Sequence, residues 1–591
     1  MNTCRKLLSD LLCLALLASV LPLSALPAKA AGDVSTAVTA WDGKTVETSW
    51  YDENKNEFTL TTAAELAGLA KLVNEGKDFS SKTITLGADI DLNNQPWTPI
   101  GTDDRTGFAG TFDGGGYTIS GLSIDNSSRS RQGLFGAVDS GGTVQNLIVL
   151  GSIIGTSDQV YIGGVAGQNN GTVKDCTNKV KITWNGNDGD DVYIGGVVGL
   201  NFGIVENCSN SEAVNTSGTS AFAGGIVGGN GVGSGTVSGC YNTGTVTGTT
   251  VGGIAGANVH TISGCYNTGT VTGTTAGGVV GENCSEYFSG DQVGNNFGTV
   301  NSCYNTGMVT ASSEGAIIGG VVGVNSNAGG SGTVDGCYFL VGTAASGVGD
   351  NSSTNVTNVA SKTTEEFASD EVAWLLQDAL GGNGSTTTQA WGQAIDTDKY
   401  PVLRAFDADA PKVYQVTFKD GDSIFATDYA NSGDSVALPE HDSTAGKTFN
   451  GWYNQESDGE KYTAPITVNG SDLVVYAQFT EHAPALRVGY DINYTAETAT
   501  AAENYEISTN GTEFGDGTIN IAPGGTLYVR YEGNTTVGAK NAIDGRPEAP
   551  VVAGVNETVA GKNDGKITGL NSEQKLSIPR RGYQYMDRRG G

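Results

Sequence analysis

The chain has 591 residues, of which 38% are apolar and 16% charged, with 89 glycines and a formal net charge of −31. That length exceeds one ordinary domain, the apolar share excludes a disordered polyelectrolyte, and the acidity argues against nucleic acid as a partner. Thr, Val, Asn, Ser and Gly form a strand-and-turn vocabulary.

Residues 1–30 read as a secretory signal peptide. Arg5 and Lys6 make a basic start, an apolar run extends from Leu11 to Leu26, and Ala28-Lys29-Ala30 is a small-x-small cleavage site. No later stretch has the length and apolarity of a spanning helix, so the expected location is extracellular, secreted or at the cell surface, with no membrane insertion after cleavage. Residues 31–54 are a lead-in. TTAAELAGLAKLVNEG (61–76) then predicts a helix: Thr62 and Glu65 have capping-box spacing, and Leu66, Leu69, Leu72 and Val73 share one face.

A long repeat follows. A Gly-Gly-apolar-apolar-Gly core recurs at 163–167, 195–199, 224–228, 252–256, 277–281 and 319–323, with GLFG (133–136) as a degenerate first copy. Two residues after each full core stands Asn169, Asn201, Asn230, Asn258, Asn283 or Asn325. Further on come Cys176, Cys208, Cys240, Cys265, Cys303 and Cys337, with Asn178, Asn210, Asn242, Asn267 and Asn305 two positions beyond the first five and Phe339 beyond the last. The string GCYNTGTVTGTT stands at 239–250 and, unchanged, at 264–275.

A fixed period with fixed landmarks is a solenoid signature. In the cleanest copy VGGIAG, HTISGCYN and TGTVTG read as three short strands, which fit one coil of a parallel β-helix and are too few residues for a propeller blade. Coils stacked about 4.8 Å apart place like residues on like, with Asn side chains bonded up and down a ladder and Gly turning the corners. Seven such coils span about 34 Å. The rod's ends need covers; the 61–76 helix and a second amphipathic helix in TTEEFASDEVAWLLQDALGG (363–382) are the expected ones, and 391–406 closes the domain.

Residues 412–480 alternate like strands and contain FNGWY (449–453) and VVYAQF (474–479). Composition assigns Trp452 and Tyr453 to packing ahead of ligand binding. Residues 484–545 read as a small Ig-like or fibronectin-like β-sandwich, and 546–591 as the start of a further module that stops short, ending in a tail with Arg580, Arg581, Arg588 and Arg589.

The repeat, together with ITLGADIDLNNQPWTPIG (84–101) and GTFDGGGYTISGL (110–122), resembles the GLUG-motif family of bacterial secreted β-helix proteins over 55–406. The 412–480 tract resembles the internalin-type B repeat, a small β-grasp-like module of bacterial surface proteins. The resemblance implies an all-β chain: a right-handed parallel β-helix with short helical caps, then β-grasp-like and Ig-like modules. It also implies an adhesin-like surface role.

Chemistry is sparse. The repeat cysteines lack any C-x-x-C pairing, which argues against zinc; they read as buried small thiols filling one interior slot, with a Cys240–Cys265 bridge as the alternative that secretion permits. Cys284 lies off that series. His260, His441 and His482 are the only histidines, and no H-E-x-x-H, G-x-S-x-G or P-loop pattern occurs. The coil acids Asp175, Glu206, Glu282 and Asp335 sit at differing repeat positions, so no carboxylate column is expected. NGNDGDD (185–191) is the one dense acidic loop; a solvated insertion outweighs a Ca²⁺ site there, and no other cofactor is expected.

The leading reading is a non-enzymatic, monomeric adhesin-like scaffold that binds an extracellular glycan or a host or cell-surface protein. A polysaccharide lyase or hydrolase and a wall-structural protein are the alternatives. The insertions 184–192 and 284–297 break the period and are not dictated by packing, which makes Trp184, Asp188, Asp190, Tyr287 and Phe288 the expected contacts.

Overall fold

Each repeat folds into one coil of a parallel β-solenoid of about nine turns. A computed structural model describes residues 40–545 except 103–106, 128, 158–159, 187–191, 232–234, 284–297, 326–331, 352, 383–388, 396 and 536–537, together with the strands Ala553–Val555, Lys566–Thr568, Leu576–Ile578 and Gln584–Met586. The signal peptide lies outside the described residues.

In the cleanest copy the coil runs Thr250–Gly252, Ala255–Asn258, Thr261–Ser263, Tyr266–Asn267 and Val271–Gly273. The expected VGGIAG strand is thus two strands in two different sheets, and Gly253-Ile254 is the corner between them. Successive coils pair in parallel and in register: Tyr241 lies against Tyr266, Asn242 against Asn267, Val246 against Val271 and Thr250 against Thr275. The duplicated string is the same part of two neighbouring coils, laid one on the other. One interior file runs Val173, Val205, Val237, Ile262, Val300, Val334, and all six are fully buried. Each such side chain contributes about 1.5–3 kcal/mol by leaving water.

Two kinds of corner explain the glycines. Just before each cysteine the backbone turns through the left-handed region, at Asp175, Asn207, Gly239, Gly264, Ser302 and Gly336; Asn and Asp tolerate that conformation, so Gly is not obligatory there. The paired glycines serve close approach instead. A methyl on Gly253 would overlap the Gly278 carbonyl oxygen and the Asn267 amide carbon. The expectation that Gly turns the corners therefore holds for a different physical reason at each corner.

The stacking begins upstream of the recognisable repeats. Glu57–Leu60 pairs with Thr83–Leu86, which pairs with Thr111–Asp113, which pairs with Thr143–Gln145. Helix α1 (Ala63–Asn74) carries the Thr62–Glu65 capping box and buries Leu66, Leu69, Leu72 and Val73. Those residues share one core with Phe58 and Leu60 of the first rung.

The 363–382 segment departs from expectation. It forms two short helices, α2 (Thr364–Ala368) and α3 (Glu371–Ala379), broken at Asp370, whose φ is +67°. It does not sit over the terminal coil alone; it folds back along the flank. The Ser302 hydroxyl donates to Leu376 O at 2.7 Å, Trp391 Nε1 donates to Ser302 Oγ at 2.9 Å, and Tyr304 OH donates to Pro401 O at 2.7 Å. Tyr241, Tyr266 and Tyr304 stack at 5.0 Å between ring centroids. Phe406 abuts the first of these rings, and Trp391 lies against the other two. An amphipathic helix must bury its apolar face, and this aromatic stripe is the surface that meets it. Lys362, ending the last rung Val356–Lys362, pairs with Glu366 at 3.3 Å and Glu371 at 2.9 Å.

Contacts divide the chain into two compact units, one of residues 1–417, 426–437 and 464–474, the other of 418–425, 438–463 and 475–591. The division runs through the 412–480 tract. In the second unit Lys447–Tyr453 pairs antiparallel with residues 476–481. Trp452 is 1% exposed, and its Nε1 donates to Pro439 O at 2.8 Å; it packs with Phe418, Phe425, His441 and Phe449. Further on, Tyr490–Asn493, Thr498–Ala501 and Thr518–Asn520 form one antiparallel sheet, and Tyr505–Ser508, Thr526–Tyr531 and Ala539–Ala542 another. Ala499, Ile507, Ile521, Leu527, Val529 and Ile543 form their shared core.

Candidate functional site

Two asparagine files run through the solenoid. In the first, Nδ2 of each residue donates to Oδ1 of the next: Asn169 to Asn201 at 2.8 Å, Asn201 to Asn230, Asn230 to Asn258 and Asn258 to Asn283 at 2.9 Å, and Asn283 to Asn325 at 3.0 Å. Asn325 continues to Asn351 at 3.2 Å. The second file links Asn178, Asn210, Asn242, Asn267 and Asn305 at 2.8 Å per step. It stops where Phe339 takes the next place in register. Each amide also serves its own turn, as Asn201 does by donating to Gly203 O and accepting from Gly203 N. These files bond coil to coil and each amide to its own turn.

Cys176, Cys208, Cys240, Cys265, Cys303 and Cys337 are buried, free thiols. Each donates to the carbonyl two residues earlier, at 3.1–3.3 Å. Removal from water pushes Cys240 and Cys303 well above the usual thiol range. Against the same burial, hydrogen bonds from the neighbouring thiols pull Cys208 and Cys265 below that range, so the file is unreactive because all six thiols are closed to a reagent.

Of the expected insertion contacts, Trp184 is corrected. It ends the strand Thr177–Trp184, is fully buried in the solenoid core, and its Nε1 donates to Ser157 O at 3.0 Å. It points inward because Asn178, Val180, Ile182 and Trp184 alternate onto the buried face. It is therefore not a surface contact. Asp188, Asp190, Tyr287 and Phe288, and most of the 185–191 loop considered for Ca²⁺, lie outside the described residues.

Of the coil acids, one pair departs from expectation. Glu206 and Asp335 do share one file, through Ser238, Ser263 and Asn301. They are four rungs apart, about 19 Å, far beyond the ~5–9.5 Å of a glycosidase carboxylate pair. Asp335 accepts from Thr357 Oγ1 at 2.6 Å and Asn358 Nδ2 at 2.9 Å. Asp175 occupies a left-handed corner, and Glu282 lies in another sheet, between Ala257 and Val324. Burial pushes Glu282 up from the ordinary carboxyl range.

One concavity of about 340 Å³ lies on the outside of the coils. Its floor is Thr143, Thr172, Ile204 and Thr236, one per rung, and the turn residues Gly142 and Asn170 wall it. A methyl at Gly171 or Gly203 would overlap the backbone of the rung beneath, so this corner stays recessed. His260, directly before Thr261, stands where the earlier coils have glycine. The groove and the tyrosine stripe were both missed in the sequence, although the recurring Gly-Thr-Val (142–144, 171–173, 235–237) and Cys-Tyr-Asn (240–242, 265–267, 303–305) tripeptides carried their signal.

Comparison with known proteins bears on this arrangement. The GLUG motif profile matches residues 158–183 and 190–215, and the Listeria-Bacteroides repeat domain profile matches 414–478. The chain carries two GLUG motifs and a Listeria-Bacteroides repeat. It is 36% identical over 135 residues to halomucin of Haloquadratum walsbyi, covering 20% of this chain and 1% of that protein. It is 32% identical over 121 residues to a candidate Gly-rich membrane protein of Evansella cellulosilytica, covering 20% of this chain and 14% of that one. Both relatives are thus matched over a small part of their length. A crystal structure of a candidate immunoglobulin A1 protease from Bacteroides ovatus aligns with 59% of this chain and 92% of its own, at 15% identity and a TM-score of 0.34.

Proposed function

We propose that the chain is a non-enzymatic extracellular surface protein whose solenoid acts as a rigid scaffold for an extracellular glycan or cell-surface protein. The observation that carries this reading is the self-sufficiency of the rod. Its asparagine files bond to themselves and its thiols to their own carbonyls, and the acids Glu206 and Asp335 stand about 19 Å apart. What remains for function is a long, regular outer surface. The GLUG motifs and the similarity to halomucin and to a Gly-rich membrane protein support a place at the cell surface.

The test is protease shaving of intact producing cells, paired with incubation of the purified chain with acidic and neutral polysaccharides. The reading expects peptides of 55–406 released from intact cells and no new reducing ends or unsaturated products. Recovery of the chain only after lysis would refute surface placement. Product formation would favour a glycan-cleaving enzyme, and tight retention on purified wall without ligand binding would favour a wall-structural role.

A further inference from the structure

From the recessed corner we infer that the groove over Thr143, Thr172, Ile204 and Thr236 is a binding site for a neutral, extended glycan lying along the solenoid axis. The inference rests on the scaffold reading above and names its site and ligand class.

The groove's shape selects a linear occupant. It follows one corner across successive rungs, so its floor residues recur about every 4.8 Å, and from Thr143 to Thr236 it covers about 14 Å. An extended sugar chain advances by a similar step per ring, so about three rings fit. Its volume of about 340 Å³ falls at the lower end of small-ligand sites. The sequence marks one boundary: at the rung beyond Thr236 the glycine that keeps the corner recessed is replaced by His260.

The groove's chemistry selects a sugar. Its floor offers the hydroxyls of Thr143 and Thr172, each both donor and acceptor, and Asn170 adds an amide at the wall. Ile204, 42% exposed in the middle of the file, supplies an apolar spot for the C–H face of a ring. No charged side chain is among the described lining residues, and the chain's net charge of −31 repels polyanions. That favours a neutral glycan over an acidic one. A peptide adding as a strand is disfavoured, because Thr172–Lys174 is already paired on both sides, with Thr143–Gln145 and Ile204–Glu206. A lipid would find one exposed apolar side chain.

The experiment is calorimetric titration of the purified full chain with cellohexaose, xylohexaose and mannohexaose, and with an oligogalacturonide of equal length. At least one neutral chain is expected to bind. Thr172→Arg and Ile204→Arg are expected to weaken it by roughly tenfold or more at an unchanged melting temperature. Thr270→Arg, on an exposed file elsewhere, should leave affinity unchanged. Should either arginine variant melt early, Ile204→Ser gives the same reading with a smaller side chain. Neutral binding that survives the groove substitutions overturns the site while leaving the scaffold reading intact. Absence of neutral binding, or a preference for the oligogalacturonide, overturns the ligand class. Failure of the scaffold reading shows separately, in the shaving experiment.

Discussion

Asn201 Nδ2 donates to Asn230 Oδ1 at 2.9 Å, and Asn230 passes the same bond to Asn258. Asn201 is fully buried, so its amide has no water to fall back on. Asn201→Ala removes the links to the rungs on both sides and strands the Asn169 donor and the Asn230 acceptor. A cost of about 1–3 kcal/mol per stranded group is expected, read as a lower urea midpoint. An unchanged midpoint would mean the file contributes specificity without stability.

The close-packed glycine corner makes a second prediction. A methyl on Gly225 would overlap the Gly253 carbonyl oxygen and the Asn242 amide carbon. Gly225→Ala should destabilise the solenoid by about 1–3 kcal/mol, as overpacking does. By contrast Gly264→Asn, at a left-handed corner where other coils have Asn207 or Asp175, should cost much less. Guanidinium melts of the pair separate close approach from backbone conformation.

The thiol file predicts a chemical signature. Native protein treated with N-ethylmaleimide should show Cys208, Cys240, Cys265 and Cys303 unmodified by mass spectrometry, and the same residues modified in denaturant. Rapid native labelling, or a Cys240–Cys265 disulfide in freshly isolated protein, would contradict the structure.

Glu282 gives a pH prediction. Its carboxyl is raised by burial. A group whose folded value lies above its unfolded one stabilises fully below the unfolded value, about pH 4.3 for Glu, and that contribution is lost as pH rises through the folded value. Glu282→Gln should therefore be stabilising at neutral pH relative to the parent, with the difference vanishing toward about pH 3. Paired thermal melts across pH check it; a difference independent of pH would exclude the ionisation.

The flank segment can be released selectively. Tyr304→Phe leaves the Pro401 carbonyl without its 2.7 Å donor, costing about 1–3 kcal/mol. Hydrogen exchange should quicken in α2, α3 and 391–406 while the strand Val227–Asn230 stays protected. Uniform quickening would show that flank and coils open together.

The asparagine and cysteine files were readable in the sequence because a solenoid stacks like on like. A residue recurring at a fixed place in the period, as Asn201 and Asn230 do, is thereby a neighbour in space. The helix at 63–74 was readable for a local reason, its Thr62–Glu65 capping box. Trp184 was misplaced although the signal was present: the alternation through Val180 and Ile182 points it inward, and the neighbouring acidic loop drew it to the surface instead.

Other features had no local signature. The amphipathic pattern of 363–382 says that a face is buried, but the side of the coils and their end are equally apolar partners to a one-dimensional pattern. Only the folded chain brings Ser302 and Tyr304 up to Leu376, Trp391 and Pro401, because those contacts join residues some 74 to 97 positions apart. The groove over Thr172 and Ile204 is likewise a tertiary result. By itself the sequence determined which residues stack, since the repeat period equals one coil; the tertiary structure decided which faces are covered and which stay open, since that depends on how distant segments fold back upon the rod.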